Sequence, residues 1–230
     1  MTDASRVFGL TAIVPAAGIG SRMGADCPKQ YLQLAGKTIL EHTLARLLSH
    51  PAITQVIVAL APHDRWFEAL PVAADPRIVR VEGGAERAFS VLNGLNVAQG
   101  EWVLVHDAAR PCLTHCDLDA LIAAAMSCGG AILGSRVRDT MKRSDSEGNI
   151  IATVEREQLW HALTPQMFPT RTLHRALEEG LLLGATITDE ASAMERAGFT
   201  VRMVEGRADN IKVTRPEDLS LAGLFLSQQA

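Results

Sequence analysis

The chain has 230 residues, 47% apolar and 21% charged, a balance that suits a folded domain and excludes a disordered or fibrous chain. With 22 Lys and Arg against 26 Asp and Glu, the formal net charge of −4 argues against broad nucleic-acid binding or a polybasic membrane surface, yet permits a local basic site. No apolar run reaches the roughly 18 residues of a membrane span. Cys27, Cys112, Cys116 and Cys128 match no compact zinc knuckle, so a reducing, cytoplasmic setting without cysteine-bound metal is expected.

A short tail precedes a first strand at 11–14. A helix follows at 39–48, with Thr38 and Glu41 spaced as a capping box and Pro51 beyond its end. QVIVAL (55–60) reads as the next strand, then a short helix at 64–70, a strand at 77–81 and a helix at 86–95. WVLVHD is a strand with a polar end, 117–126 a helix and 131–137 a further strand. This alternation predicts one α/β domain over 1–230, an open and mostly parallel sheet covered by helices on both faces. Residues 137–166 break the rhythm and read as a protruding β-arm, two extended segments turning between Asp145 and Asn149. Helices started by Thr170 and by Thr188 follow, then a strand in FTVRMVE. The final helix is expected to be capped by Thr214 and Glu217, with Pro216 in its first turn.

The sharpest motif is PAAGIGSRMGADCPKQY, residues 15–31. Gly18, Gly20 and Gly24 after a strand can turn backbone N–H groups toward a phosphate, and Arg22 and Lys29 can neutralise its oxygens. The segment lacks the dinucleotide-binding fingerprint and the Lys-Ser/Thr pair of a Walker loop. VHDAARP (105–111) places Asp107 and Arg110 just past a strand, where Asp107 suits the role of a strand-end or helix-cap acid. His106 reads either as an orienting group for Asp107 or as an ordinary packed histidine. Arg87 reads as an exposed helix charge, and Asp189 and Glu190 as acids stabilising a first helical turn.

PAAGIGSRMG, CPKQYL, TILEH, VEGGAERAFSVLNGL, VHDAARP, VRDTMK, WHALTPQ, TDEASAME and EGRADNIKVTRPEDL occur in this order over nearly the whole chain. In these motifs the sequence closely resembles the 2-C-methyl-D-erythritol 4-phosphate cytidylyltransferases. The resemblance implies a Rossmann-like nucleotidyltransferase fold with an inserted arm, and transfer of CMP from CTP to 2-C-methyl-D-erythritol 4-phosphate with Mg²⁺ or another divalent cation. It implies Arg22, Lys29, Arg156 and Lys212 as catalytic, and Asp107 as the metal residue. The nucleotide would be bound by Ala16, Ala17, Gly18, Gly20, Gly83, Gly84, Ser90, Ala108, Arg110 and Thr164. Asp107, Thr140, Arg156, Asp209 and Lys212 would hold the phosphosugar. A homodimer is also implied, the 137–166 arm carrying Arg156 into the partner's pocket. Ala85 stands where some relatives carry an acid, and Phe89 where a polar residue is common. A ribitol 5-phosphate cytidylyltransferase and a noncatalytic CTP-binding regulator are the alternative readings.

Overall fold

Leu10, Ala12, Ile13 and Val14 are fully buried, the continuous apolar run of a strand covered on both faces. They form β1 (Leu10–Pro15) of the computed structural model, which describes residues 9–18 and 27–229. A small hairpin, β2 (Gln33–Leu34) and β3 (Lys37–Thr38), leads into α1 (Ile39–Leu48), where Thr38 and Glu41 make the expected capping box. Then come β4 (Ile53–Leu60), β5 (Ile78–Glu82), α2 (Arg87–Leu95) and β6 (Trp102–Val105). In place of the short helix expected at 64–70, two 3₁₀ turns occupy Phe67–Ala69 and Pro71–Ala74. Pro71 has no N–H to donate, which suits the first position of a new turn.

The second half contains α3 (His115–Cys128), β7 (Ala131–Arg136), β8 (Met141–Ser144), β9 (Ile150–Val154) and β10 (Trp160–Pro169). It ends with α4 (Thr170–Leu182), α5 (Glu190–Arg196), β11 (Arg202–Glu205) and α6 (Pro216–Gln228). Seven strands form one sheet in the order β11-β7-β10-β6-β1-β4-β5. Its neighbours pair in parallel except β10, which runs antiparallel between β6 and β7. Side chains of β1 alternate by face. Leu10, Ala12 and Val14 meet Leu40, Leu44 and Leu47 of α1, and the same cluster takes in Leu118 and Leu121 of α3. Ile13 joins Val91 and Leu95 of α2 with Leu173 and Leu177 of α4. Each such buried Leu or Ile contributes about 1.5–3 kcal/mol of transfer free energy.

Only part of the 137–166 segment projects as an arm. β8 and β9 pair antiparallel around an Asp145–Asn149 turn, whereas 160–166 belong to β10 and complete the main sheet. Two caps differ from expectation. Asp189, not Thr188, caps α5 by accepting from the Ser192 N–H at 2.9 Å. At α6, Asp218 rather than Glu217 accepts the N–H groups of Thr214 and Arg215, at 2.8 and 2.9 Å. The shorter Asp reaches the preceding backbone one residue further along.

Candidate active site

The carboxyl ends of β1, β5 and β6 open onto one crevice, the place where open α/β sheets bind ligands. A cavity of about 300 Å³ lies there. Ala16, Ala17 and Gly18 line it from the end of β1, Gly84 and Ser90 from the turn into α2, and Asp107 and Ala108 from the end of β6. Lys29 and Lys212 bring two ammonium groups to the same space.

The crevice is held open by close backbone contacts. A Cβ on Gly83 would come within 2.3 Å of the Ala17 Cβ, and one on Gly84 within 2.2 Å of the Phe89 Cβ. Gly83 therefore lets the β5 turn lie against the β1 loop, and Gly84 lets the same turn lie against Phe89 of α2. The Ser90 hydroxyl oxygen accepts the Gly84 N–H at 3.0 Å. Gln30, unremarked in the sequence, is buried and donates its amide to the Ala16 carbonyl at 2.6 Å. Lys29 Nζ donates to the Val213 carbonyl at 3.0 Å, tying the first loop to the segment that carries Lys212.

Asp107 is the electrostatic centre. Its Oδ1 accepts from Arg87 Nε at 3.1 Å, and its Oδ2 lies 3.0 Å from Lys212 Nζ and 3.4 Å from Arg110 Nε. Burial opposes its charge, but Arg87, Lys212 and Arg110 overcome that penalty and hold the carboxyl well below the usual range. Arg110 is itself buried, which lowers its pKa, and it donates to the Asn210 carbonyl at 2.7 Å.

Behind Asp107 runs a directed chain of hydrogen bonds. His106 Nε2 meets the Arg110 carbonyl at 3.0 Å; a carbonyl only accepts, so that nitrogen carries the proton. Nδ1 then accepts from the Thr164 hydroxyl at 2.9 Å, whose oxygen accepts the Asp107 N–H at 3.0 Å. Burial pushes His106 down to about 4, keeping the ring neutral and this chain intact.

Of the residues expected from sequence, Ala16, Ala17, Gly18, Lys29, Gly84, Ser90, Asp107, Ala108 and Lys212 line one cavity, with Gly83, Arg110 and Thr164 directly behind it. Gly20 and Arg22 lie outside the described residues. Asp209 is bonded to Arg207 and lines no part of the cavity. Thr140 and Arg156 are exposed on the arm, Arg156 donating to the Arg138 carbonyl. Arg87 corrects its sequence reading. It is no free surface charge: it bridges Asp107 to the buried Glu190, bonding the latter at 2.6 and 3.2 Å.

The family model for IspD, 2-C-methyl-D-erythritol 4-phosphate cytidylyltransferase, matches residues 10–228. The chain belongs to this family. It is 89% identical to the 2-C-methyl-D-erythritol 4-phosphate cytidylyltransferase of Aeromonas hydrophila, over 96% of this chain and 91% of that one. It is 62% identical to the Tolumonas auensis protein of the same name, over 95% and 97% of the two chains. Among solved structures, the Francisella tularensis family member superposes with a TM-score of 0.82 at 36% identity, covering 94% of this chain and 99% of that one. The Thermus thermophilus member gives 0.80 at 32% identity, with 94% and 98% covered. The mostly parallel sheet flanked by helices is thus the family's nucleotidyltransferase fold. No helix among the described residues is long and apolar enough to cross a membrane.

Proposed function

We propose that the crevice transfers CMP from CTP to 2-C-methyl-D-erythritol 4-phosphate, giving 4-diphosphocytidyl-2-C-methyl-D-erythritol and diphosphate. The observation that carries this reading is the convergence of the Ala16–Ala17–Gly18 backbone, Lys29 and Lys212 on one strand-end cavity in a chain of this family. A phosphosugar oxygen attacks the α-phosphorus in line, the α–β anhydride bond breaks, and diphosphate leaves with the bonding electrons. The nucleophile is already an anion, so no general base is needed.

The protein supplies position and charge. Arg22 and Lys29 are assigned to the triphosphate, Gly83, Gly84 and Ser90 to the base and ribose, and Lys212 and Arg110 to the anionic oxygens at the reacting end. Thr164 takes part through its bond to the Asp107 backbone, which fixes the loop in front of it. Arg156 and Thr140 of the arm complete the phosphosugar side only if a second subunit contributes, so the homodimer belongs to this proposal; Asp209 is assigned to the same side from the segment that carries Lys212.

The Asp107 surroundings fit a divalent cation of one kind. Both oxygens are claimed by cations, and among the described residues no three His, Cys, Asp or Glu converge on one point. That donor set suits a Mg²⁺ held chiefly by substrate phosphates and water with at most the Asp107 carboxylate beside it, not a protein-caged ion. Such an ion would neutralise charge on the triphosphate oxygens.

Diphosphate release by the purified chain with CTP and Mg²⁺ tests the proposal. Release is expected with 2-C-methyl-D-erythritol 4-phosphate and a much slower reaction with ribitol 5-phosphate. Preference for the ribitol compound would reassign the second substrate, and CTP binding without release under either condition would leave a noncatalytic binder.

A further inference from the structure

Glu190 is an acid with a 1% exposed side chain, yet it has no place in the reaction as described. Both of its oxygens bond to Arg87, across 103 residues of sequence. Its backbone is fixed as well. The Gln166 side chain donates to Asp189 at 2.9 Å and accepts the Ala191 N–H at 2.9 Å, clasping the first turn of α5 on either side of Glu190.

From Glu190 the charges alternate toward the cavity. Arg87 spends both Nη groups on Glu190 and its Nε on Asp107 Oδ1; Asp107 Oδ2 then holds Lys212 at 3.0 Å. Side-chain exposure is 1% at Glu190, 28% at Arg87, 9% at Asp107 and 40% at Lys212, so the two acids are the buried anchors and Lys212 is the most exposed member, at the cavity. We propose that Glu190 and Arg87 are positioning residues that set Asp107, and through it the cavity-facing ammonium of Lys212, for the phosphosugar. The proposal rests on the cytidylyltransferase reading above.

The physical reason is the geometry of the guanidinium. Held by Glu190, Arg87 offers Asp107 a single N–H and leaves Oδ2 to Lys212 and Arg110. Released from Glu190, the same planar group can take a carboxylate in the two-pronged manner it prefers, occupying both Asp107 oxygens and displacing Lys212. A lysine at position 87 carries all its donors on one nitrogen and has no planar fork with which to span Glu190 and Asp107 as the Nε and two Nη groups do.

The test compares Glu190→Gln, Arg87→Lys and the double variant with the parent chain. CTP binding by calorimetry, thermal melting, and turnover against phosphosugar concentration are measured. Each single variant is expected to lose about tenfold in kcat/KM for the phosphosugar while CTP affinity changes less than about twofold. Because Glu190 acts through Arg87, the double variant should be no worse than the weaker single one. Folded single variants with parental phosphosugar kinetics would overturn the proposal, as would losses that multiply in the double variant. A fall in melting temperature with unchanged kinetics would mark the trio as a structural tie only, again rejecting it. Should Glu190→Gln fail to fold, Arg87→Lys, which keeps the charge, decides alone. A parent chain that binds CTP but turns over no phosphosugar would instead reject the underlying reading, and the positioning role with it.

Discussion

His106 shows how one buried side chain serves both fold and site. It holds the Thr164 hydroxyl only while neutral, and burial places its pKa near 4 against about 6.5 in the unfolded chain. A folded-state pKa below the unfolded one gives stability that is present above pH ~6.5 and is lost as pH falls toward the folded value. The loss should be on the order of a few kcal/mol between pH ~6.5 and ~4. Urea unfolding at pH 7 and pH 5 checks this: His106→Asn, which cannot titrate, should show a shallower fall than the parent, and parallel curves would refute the assignment. Lys29 stood out in the sequence through the glycine-rich loop it follows, whereas Lys212 stood out only through the family resemblance, and the structure brings both to one cavity. Arg87 and Glu190 did not stand out, because nothing local marks a helix arginine whose acid lies 103 residues away.

At the level of elements, β1, β4, β6 and the α1 cap could be read directly, since burial on both faces writes a largely apolar run and Thr38 and Glu41 bond within four residues. β10 could not. Its partners β6 and β7 are set by sheet topology, and its sequence WHALTPQMFP mixes polar and apolar residues because one end is exposed and the other central. The contact between the β1 loop and the β5 turn was legible only as a pair of glycines, and its closeness yields a prediction. Gly83→Ala would drive a methyl group to 2.3 Å from the Ala17 Cβ, so one of the two strand ends must retreat. The expected result is CTP binding weakened about tenfold, with a stability loss of about 1–3 kcal/mol typical of overpacking. Calorimetric titration of CTP and urea unfolding measure the two effects, and unchanged affinity would mean that the crevice does not depend on this contact.

For the whole molecule the exposed arm is the decisive feature. Ile150 and Ile151 are 67% and 62% exposed on β9, which pairs with β8 in a two-stranded sheet that no other strand among the described residues joins. A symmetric partner is one way to bury such a surface, and the proposed dimer carries Arg156 into the opposite site. Mixing a Lys29→Ala chain with an Arg156→Ala chain should then restore activity, because one of the two sites in the heterodimer receives both intact residues. Native mass spectrometry confirms the mixed species; a verified heterodimer no more active than either parent variant would exclude a shared site. The position of β10 has a different consequence, for the order in which the sheet can be assembled during synthesis. β5, β4, β1 and β6 are neighbours in the sheet and all lie within the first 105 residues, so the half of the crevice assigned to the nucleotide has its strands as soon as β6 is made. β6 nevertheless keeps one open edge until the ribosome has added residues 166–169, which pair with Val105 to Trp102, and with that strand come Thr164 and the junction between the two halves.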